Sequence, residues 1–198
     1  MKSALYRPSF SRFFLALLSV IAFALALGLN PAAAAQPPAS TSQRPSPSSV
    51  AEQHAAMQKL SFLAGRWSGP ATVVVGPSRT LHITQTEHVQ YKLGGLVLLV
   101  EGNGRDSSGK TAFSALATIA YDDASHQYHF RAYNDGHYLD TELSVTPDGF
   151  SWVFTAGPAH VVNTMHLTSA GEWHEVTQTS MNGGPAHDSV EMTLRRAK

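Results

Sequence analysis

The chain is expected to fold as an all-β protein, a closed antiparallel up-and-down barrel of about ten strands with a short N-terminal helix. Three observations predict this. Beyond residue 66, turn-forming groups recur at short intervals: Gly76-Pro77, Gly94-Gly95, Gly102-Asn103-Gly104, Ser108-Gly109, Asp122-Asp123, Asn134-Asp135-Gly136, Pro147-Asp148-Gly149, Gly157-Pro158, Ala170-Gly171 and Asn182-Gly183-Gly184-Pro185. Each supplies the positive or preset φ that a chain reversal needs. The intervals between them are rich in Val, Thr, Tyr, Phe and Trp, which suit a pleated, half-buried surface. Connections this short make sequence neighbours antiparallel neighbours in space. An open meander of that many strands would leave two long edges, and closure removes them; the alternative is a two-sheet sandwich, in which the last strand would not bond back to the first.

Taken in order, residues 1–12 carry Lys2, Arg7 and Arg12 and no acid, Phe13 to Leu29 is free of charge, and Ala32 to Ala35 precede Gln36. This reads as a secretory signal peptide over 1–35, cleaved after Ala35, with small residues at Ala33 and Ala35. The apolar run is at the short limit for a membrane span, so contact with a membrane is expected only through an uncleaved leader. Loss of the leader leaves 11 basic side chains against 14 acidic ones, and a mildly acidic surface argues against nucleic acid as a partner. Residues 36–49 (QPPASTSQRPSPSS) have almost nothing to bury and read as a disordered linker.

The barrel domain is expected over 50–198. It opens with a helix over 50–63, capped by Ser49 and apolar at Ala56, Met57, Leu60 and Leu63, which Gly65 ends. Strands follow at about 66–75, 80–92, 96–102, 112–121, 126–134, 137–146, 149–156, 159–168, 172–180 and 187–196. Alternation marks the wet and dry faces in some of them. Phe150, Trp152 and Phe154 share one face, and Val190, Met192 and Leu194 oppose Glu191, Thr193 and Arg195. With no cysteine in the chain, a disulfide scaffold, thiolate metal sites and a cysteine nucleophile are all excluded, and stability must come from the barrel itself.

Leu60-Ser61-Phe62-Leu63-Ala64-Gly65-Arg66-Trp67-Ser68-Gly69 resembles the entry signature of the lipocalin-like, nitrobindin-type barrels, in which a short helix leads through an L-x-G-x-W-x-G turn into the first strand. Leu93-Gly94-Gly95, Ala120-Tyr121-Asp122-Asp123 with Tyr128, Asn134-Asp135-Gly136 and Pro147-Asp148-Gly149 resemble a bacterial, partly secreted family of unknown function within that group. The resemblance spans roughly residues 57–196. It implies a calycin-type fold and, because nitrobindin-type relatives hold haem through an inward histidine on the last strand, haem as an alternative ligand. Here that strand has only His187, at its beginning, on the face shared with Glu191 and Arg195, which departs from the pattern. Met192, inward, reads as packing.

A barrel of about ten strands is too wide for side chains to fill completely, so an internal cavity for a small, mainly apolar ligand is expected. The residues placed near it are Phe113, Ala115, Phe130, Phe150, Trp152 and Phe154. A polar cluster, His129, Arg131 and Tyr133, has two readings. Outside the barrel it is a solvated hairpin paired to Asp140 or Glu142; inside, it is a recognition cluster for an anionic ligand. Ten histidines are the one compositional excess. His82 and His88, six apart on one strand, stand about 20 Å apart and cannot share an ion, and the same holds for His160 and His166, so no metal site is expected. No cofactor follows from the residues, and with no nucleophile elbow, phosphate loop or paired-carboxylate motif, neither does catalysis.

Overall fold

The computed structural model describes residues 46–76 and 78–197; the expected leader and all but the end of the expected linker lie outside them. Helix α1 runs from Pro47 to Gln58 and a 3₁₀ turn covers Ser61–Leu63. Ten strands follow: β1 (Gly65–Gly76), β2 (Arg79–Lys92), β3 (Val97–Arg105), β4 (Thr111–Asp122), β5 (Gln127–Asn134), β6 (His137–Val145), β7 (Gly149–Ala156), β8 (Ala159–Leu167), β9 (Trp173–Met181) and β10 (His187–Arg196). Each pairs antiparallel with its sequence neighbours, and β10 returns to β1, with Ala71 opposite Met192 and Val73 opposite Val190. This closure excludes the sandwich.

Turn chemistry sets the hairpins where the sequence marks them, except that Gly102-Asn103-Gly104, expected as a reversal, continues β3 and pairs with both β2 and β4. Asn134 pairs with His137, so Asp135 and Gly136 alone make the β5–β6 reversal, with φ of 47° and 79°. Positive φ at both central positions is the two-residue turn whose twist matches the strands, and Asp-Gly is a preferred pair for it.

The helix begins three residues earlier than expected, with Pro47 in its first turn, where a missing amide proton costs nothing. Ser49 is therefore not the cap. Its hydroxyl instead bonds Asp123, which also accepts from Gln53 Nε2 at 2.7 Å, fastening the helix to the β4–β5 turn. The expected apolar stripe is correct: Met57, Leu60 and Leu63 are fully buried. They close one end of the barrel together with Trp67, Val89, Leu98, Ile119, Leu143, Met165, Trp173 and Leu194. Two tyrosines reach across that end to helix carbonyls, Tyr91 Oη donating to Met57 and Tyr128 Oη to Ala56, each at 2.8 Å. Converting both to phenylalanine should cost about 1 kcal/mol per lost bond and should raise amide hydrogen exchange through α1 while leaving exchange in β7 and β8 unchanged.

One register shift changes a face assignment. Between Asp188 and Val190, β10 carries one more residue than β9. Beyond this bulge, His187 pairs with Thr179 and so shares the inward register of Trp173, Glu175 and Thr177. The expectation that His187 shares the outer face of Glu191 and Arg195 is corrected, because a bulge inverts the parity of everything past it.

Candidate functional site

The inward faces are buried unevenly. Near the helix they are dry. Toward the opposite end, Val73, Leu81, Val100, Phe130, Thr141, Trp152, Phe154, Thr177 and Thr179 are only half-buried, and Phe113 is 37 % exposed. Solvent thus enters the barrel from the end bearing the β1–β2, β5–β6 and β7–β8 turns, and the helix end is the floor.

All six residues expected near a cavity stand on inward register. Phe130, Trp152 and Phe154 form a continuous row, with centroids 5.6 Å and 5.8 Å apart and planes inclined by 10° and 27°. Phe113 and Ala115 lie across from Gly104 and Gly102. Phe150 sits lower, edge-on to Trp173 at 6.1 Å and buried in the floor. The inner reading of the polar cluster is overturned: His129, Arg131 and Tyr133 occupy the outer face of β5. Arg131 Nε donates to Asp140 Oδ2 at 2.9 Å and Tyr138 Oη donates to the same oxygen. Tyr128 explains the choice, since its bond to the helix turns Tyr128, Phe130 and Ala132 inward.

Sequence reasoning missed a second polar group that lies inside. On β2, the inward residues Leu81, Ile83, Gln85, Glu87, Val89 and Tyr91 place an amide and a carboxyl in an otherwise apolar stripe. Glu87 is 7 % exposed, and its Oε1 accepts from Gln85 Nε2 at 2.7 Å. Both lean over β3, where a Cβ on Gly102 would come within 2.8 Å of Glu87 Oε1 and one on Gly104 within 2.8 Å of Gln85 Oε1. The two glycines leave the room these side chains fill. From β8 and β9 comes the complement. Asn163, 1 % exposed, donates through Nδ2 to Glu175 Oε1 at 2.8 Å and to Thr177 Oγ1 at 2.9 Å, and Trp173 Nε1 donates to Glu175 Oε2 at 2.7 Å. The amide nitrogen of Asn163 thus faces both of these acceptors. Its Oδ1 is left buried with no hydrogen bond from the described residues.

The electrostatics follow from burial. Glu87 is pushed up to about 8, chiefly by desolvation, with the Gln85 bond opposing and the charge of Glu175 adding. Burial also raises Glu175, against the bonds from Asn163 and Trp173. Near neutrality Glu87 therefore holds its proton, and Glu175 has a hydrogen-bond donor on each oxygen.

The histidines are dispersed over the surface. Those of β2 and β8 face outward, His88 beside Glu101 at 3.5 Å. His166 and His174 meet across β8 and β9 with centroids 5.1 Å apart, but among the described residues no three His, Asp or Glu side chains converge. Two depressions of about 380 and 360 Å³ indent the outside of the barrel, lined mainly by outward residues such as Glu101, Asn103, Ser114 and Thr86.

Fold and site together define a ten-stranded closed antiparallel barrel, floored by a helix, with an aromatic wall and a buried acidic patch inside. Among solved structures the chain is similar to one titled "Crystal Structure of Rv2717c from M. tuberculosis", with a TM-score of 0.56 and 17 % identity over 72 % of this chain and 98 % of that one. At that identity the likeness bears on the fold. No protein-family model and no curated protein matches the chain.

Proposed function

We propose that this chain is an exported, lipocalin-like barrel of nitrobindin type that binds a small molecule with a largely apolar body in its interior. The observation that carries the reading is the uneven burial of the inward face. The floor is sealed, whereas the row of Phe130, Trp152 and Phe154 stays open to solvent from the mouth, as a ligand wall must. Native mass spectrometry of the full-length gene product isolated from its own envelope tests it. A chain beginning at Gln36 is expected, with an added mass that disappears when Thr141→Trp fills the interior. A chain that keeps residues 1–35 in the cytoplasm overturns export; absence of any retained mass, together with no binding of apolar probes, overturns ligand binding.

Haem is the second reading, favoured by the inward register of His187. His187 would hold the group at the mouth, beside Thr179 and Ser189, whose hydroxyls lie 2.9 Å apart; Met192 is packed in the core. The site would then be the rim. A Soret shift on adding haemin that His187→Ala abolishes supports this reading, and an unshifted band removes it.

A further inference from the structure

Among the described residues, the inward face between the two rims carries two carboxyls and no cation. Glu87 on β2 and Glu175 on β9 both point into the interior, with β1 and β10 between their strands. Arg196, at the closed rim, is exposed and donates to the carbonyls of Ala64 and Phe62, and Arg79 stands exposed at the mouth. The ion pairs among the described residues join outward or rim groups, and none includes either inner carboxyl. A buried carboxyl without a positive partner is held toward its protonated form, and it ionises where a cation is placed beside it.

A second observation is independent of the charge count. Asn163 is buried, faces the interior, and spends both amide protons within the protein, which leaves Oδ1 as a buried acceptor without a donor among the described residues. Unpartnered buried acceptors are rare because each forgoes the hydrogen bond it would make in water. Even with the one O–H that a protonated Glu87 offers, the surplus of the site is in acceptors: the Asn163 carbonyl and the remaining lone pairs of two carboxyls. A group complementary to it is positively charged and carries several N–H donors. Above the patch, the face presented by Phe130, Trp152 and Phe154 is the surface on which an apolar or aromatic body stacks, and a ring face also attracts a cation.

Resting on the reading of the interior as a small-molecule site, we propose that the ligand is an organic amine: a primary ammonium group seated among Glu87, Asn163 and Glu175, with an apolar or aromatic body lying along the Phe130–Trp152–Phe154 row. The aromatic wall supplies bulk affinity and the acidic floor selects the head group. Such a site rejects fatty acids, whose carboxylate would meet two carboxyls and a bare carbonyl.

The test compares three ligands of one shape. Full-length purified protein is titrated at neutral pH with 4-phenylbutylammonium, 4-phenylbutanol and 4-phenylbutyrate, followed by tryptophan fluorescence and calorimetry. The ammonium compound is expected to bind at least about tenfold more tightly than the alcohol, the scale of one charge-assisted hydrogen bond, and the carboxylate more weakly than either. In Glu175→Gln and Asn163→Leu the ammonium preference should collapse while alcohol binding stays within about twofold, with a thermal melt confirming that each variant is folded. If a variant does not fold, the ranking of the three ligands on the unaltered protein decides. Equal or tighter binding of the alcohol or the carboxylate overturns the amine assignment and leaves interior binding standing. Failure of all three to bind overturns both.

Discussion

Replacing Trp67 with alanine should lower the unfolding free energy by about 3–5 kcal/mol, the range for removing a large aromatic side chain from a core. The residue is 1 % exposed, so the transfer cost and the cavity left behind both fall on the folded state. Its ring meets Trp173 edge-on at 5.7 Å and lies 4.2 Å from the Arg196 guanidinium, and its Nε1 donates to the Leu63 carbonyl at 2.8 Å. These contacts tie the 3₁₀ turn and the first strand, which adjoin in sequence, to the last two strands more than 100 residues away. Arg196 repeats the connection by donating to Phe62 at 2.7 Å. Trp67 therefore stands at the seam where the barrel closes. Urea denaturation followed by far-ultraviolet circular dichroism measures the loss. Trp67→Phe should recover most of the packing but not the indole hydrogen bond, and falls between. A loss below about 1 kcal/mol for the alanine variant would place Trp67 outside the closure.

The signature around Trp67 was legible because turn and entry motifs are local. Gly-, Pro-, Asn- and Asp-containing reversals set ten strands close to their observed bounds, and closure followed from the two edges an open sheet would leave. Faces were harder to read. In β5 each face carries aromatics and hydrogen-bonding groups, so alternation alone could not choose between Tyr128, Phe130, Ala132 and His129, Arg131, Tyr133. The choice rests on a tyrosine reaching a helix 72 residues away. His187 was misassigned for a different reason: period-two reasoning fails beyond a bulge, and nothing local marks Ser189 as an extra residue. The inner acidic patch was accessible in principle. Gln85 and Glu87 fall on the phase of Leu81, Ile83, Val89 and Tyr91, and Asn163 on that of Val161 and Met165. Polar residues on an apolar phase are the signal, and it is fainter than the compositional excess of ten histidines. That Glu175 lies near enough to raise Glu87 is set by closure and register together, since β2 and β9 approach only through β1 and β10.

Glu87→Gln should make the protein more stable at alkaline pH and leave it nearly unchanged at pH 5. The folded-state carboxyl is raised from 4.5 to about 8, so between those values the native state holds a proton that the unfolded chain has released. Stability then falls as pH rises, since the unfolded state binds fewer protons. The contribution is fully present below the unfolded value and is lost through the folded one. At about 1.4 kcal/mol per unit, the window is worth on the order of 5 kcal/mol, and Glu175, raised by the same burial, acts with the same sign. The outer carboxyls act elsewhere: Asp106, Asp122, Asp123 and Asp140 are lowered, chiefly by side-chain hydrogen bonds to Ser108, Ser125, Ser49 and Arg131. Their contribution is lost only as pH falls into the acid range, so they do not disturb a comparison made from pH 5 to 9. The carboxamide that Glu87→Gln introduces mimics the protonated carboxyl in shape and can still accept from Gln85 through its own carbonyl. The variant's urea midpoint should therefore stay flatter across that range while the unaltered protein's declines, the two curves meeting at the acid end. A parallel decline in both would assign the pH dependence to another group. The same linkage connects stability to the amine site: an ammonium group placed beside Glu87 favours the ionised carboxyl, so the bound protein should keep at pH 8 the stability the free protein loses.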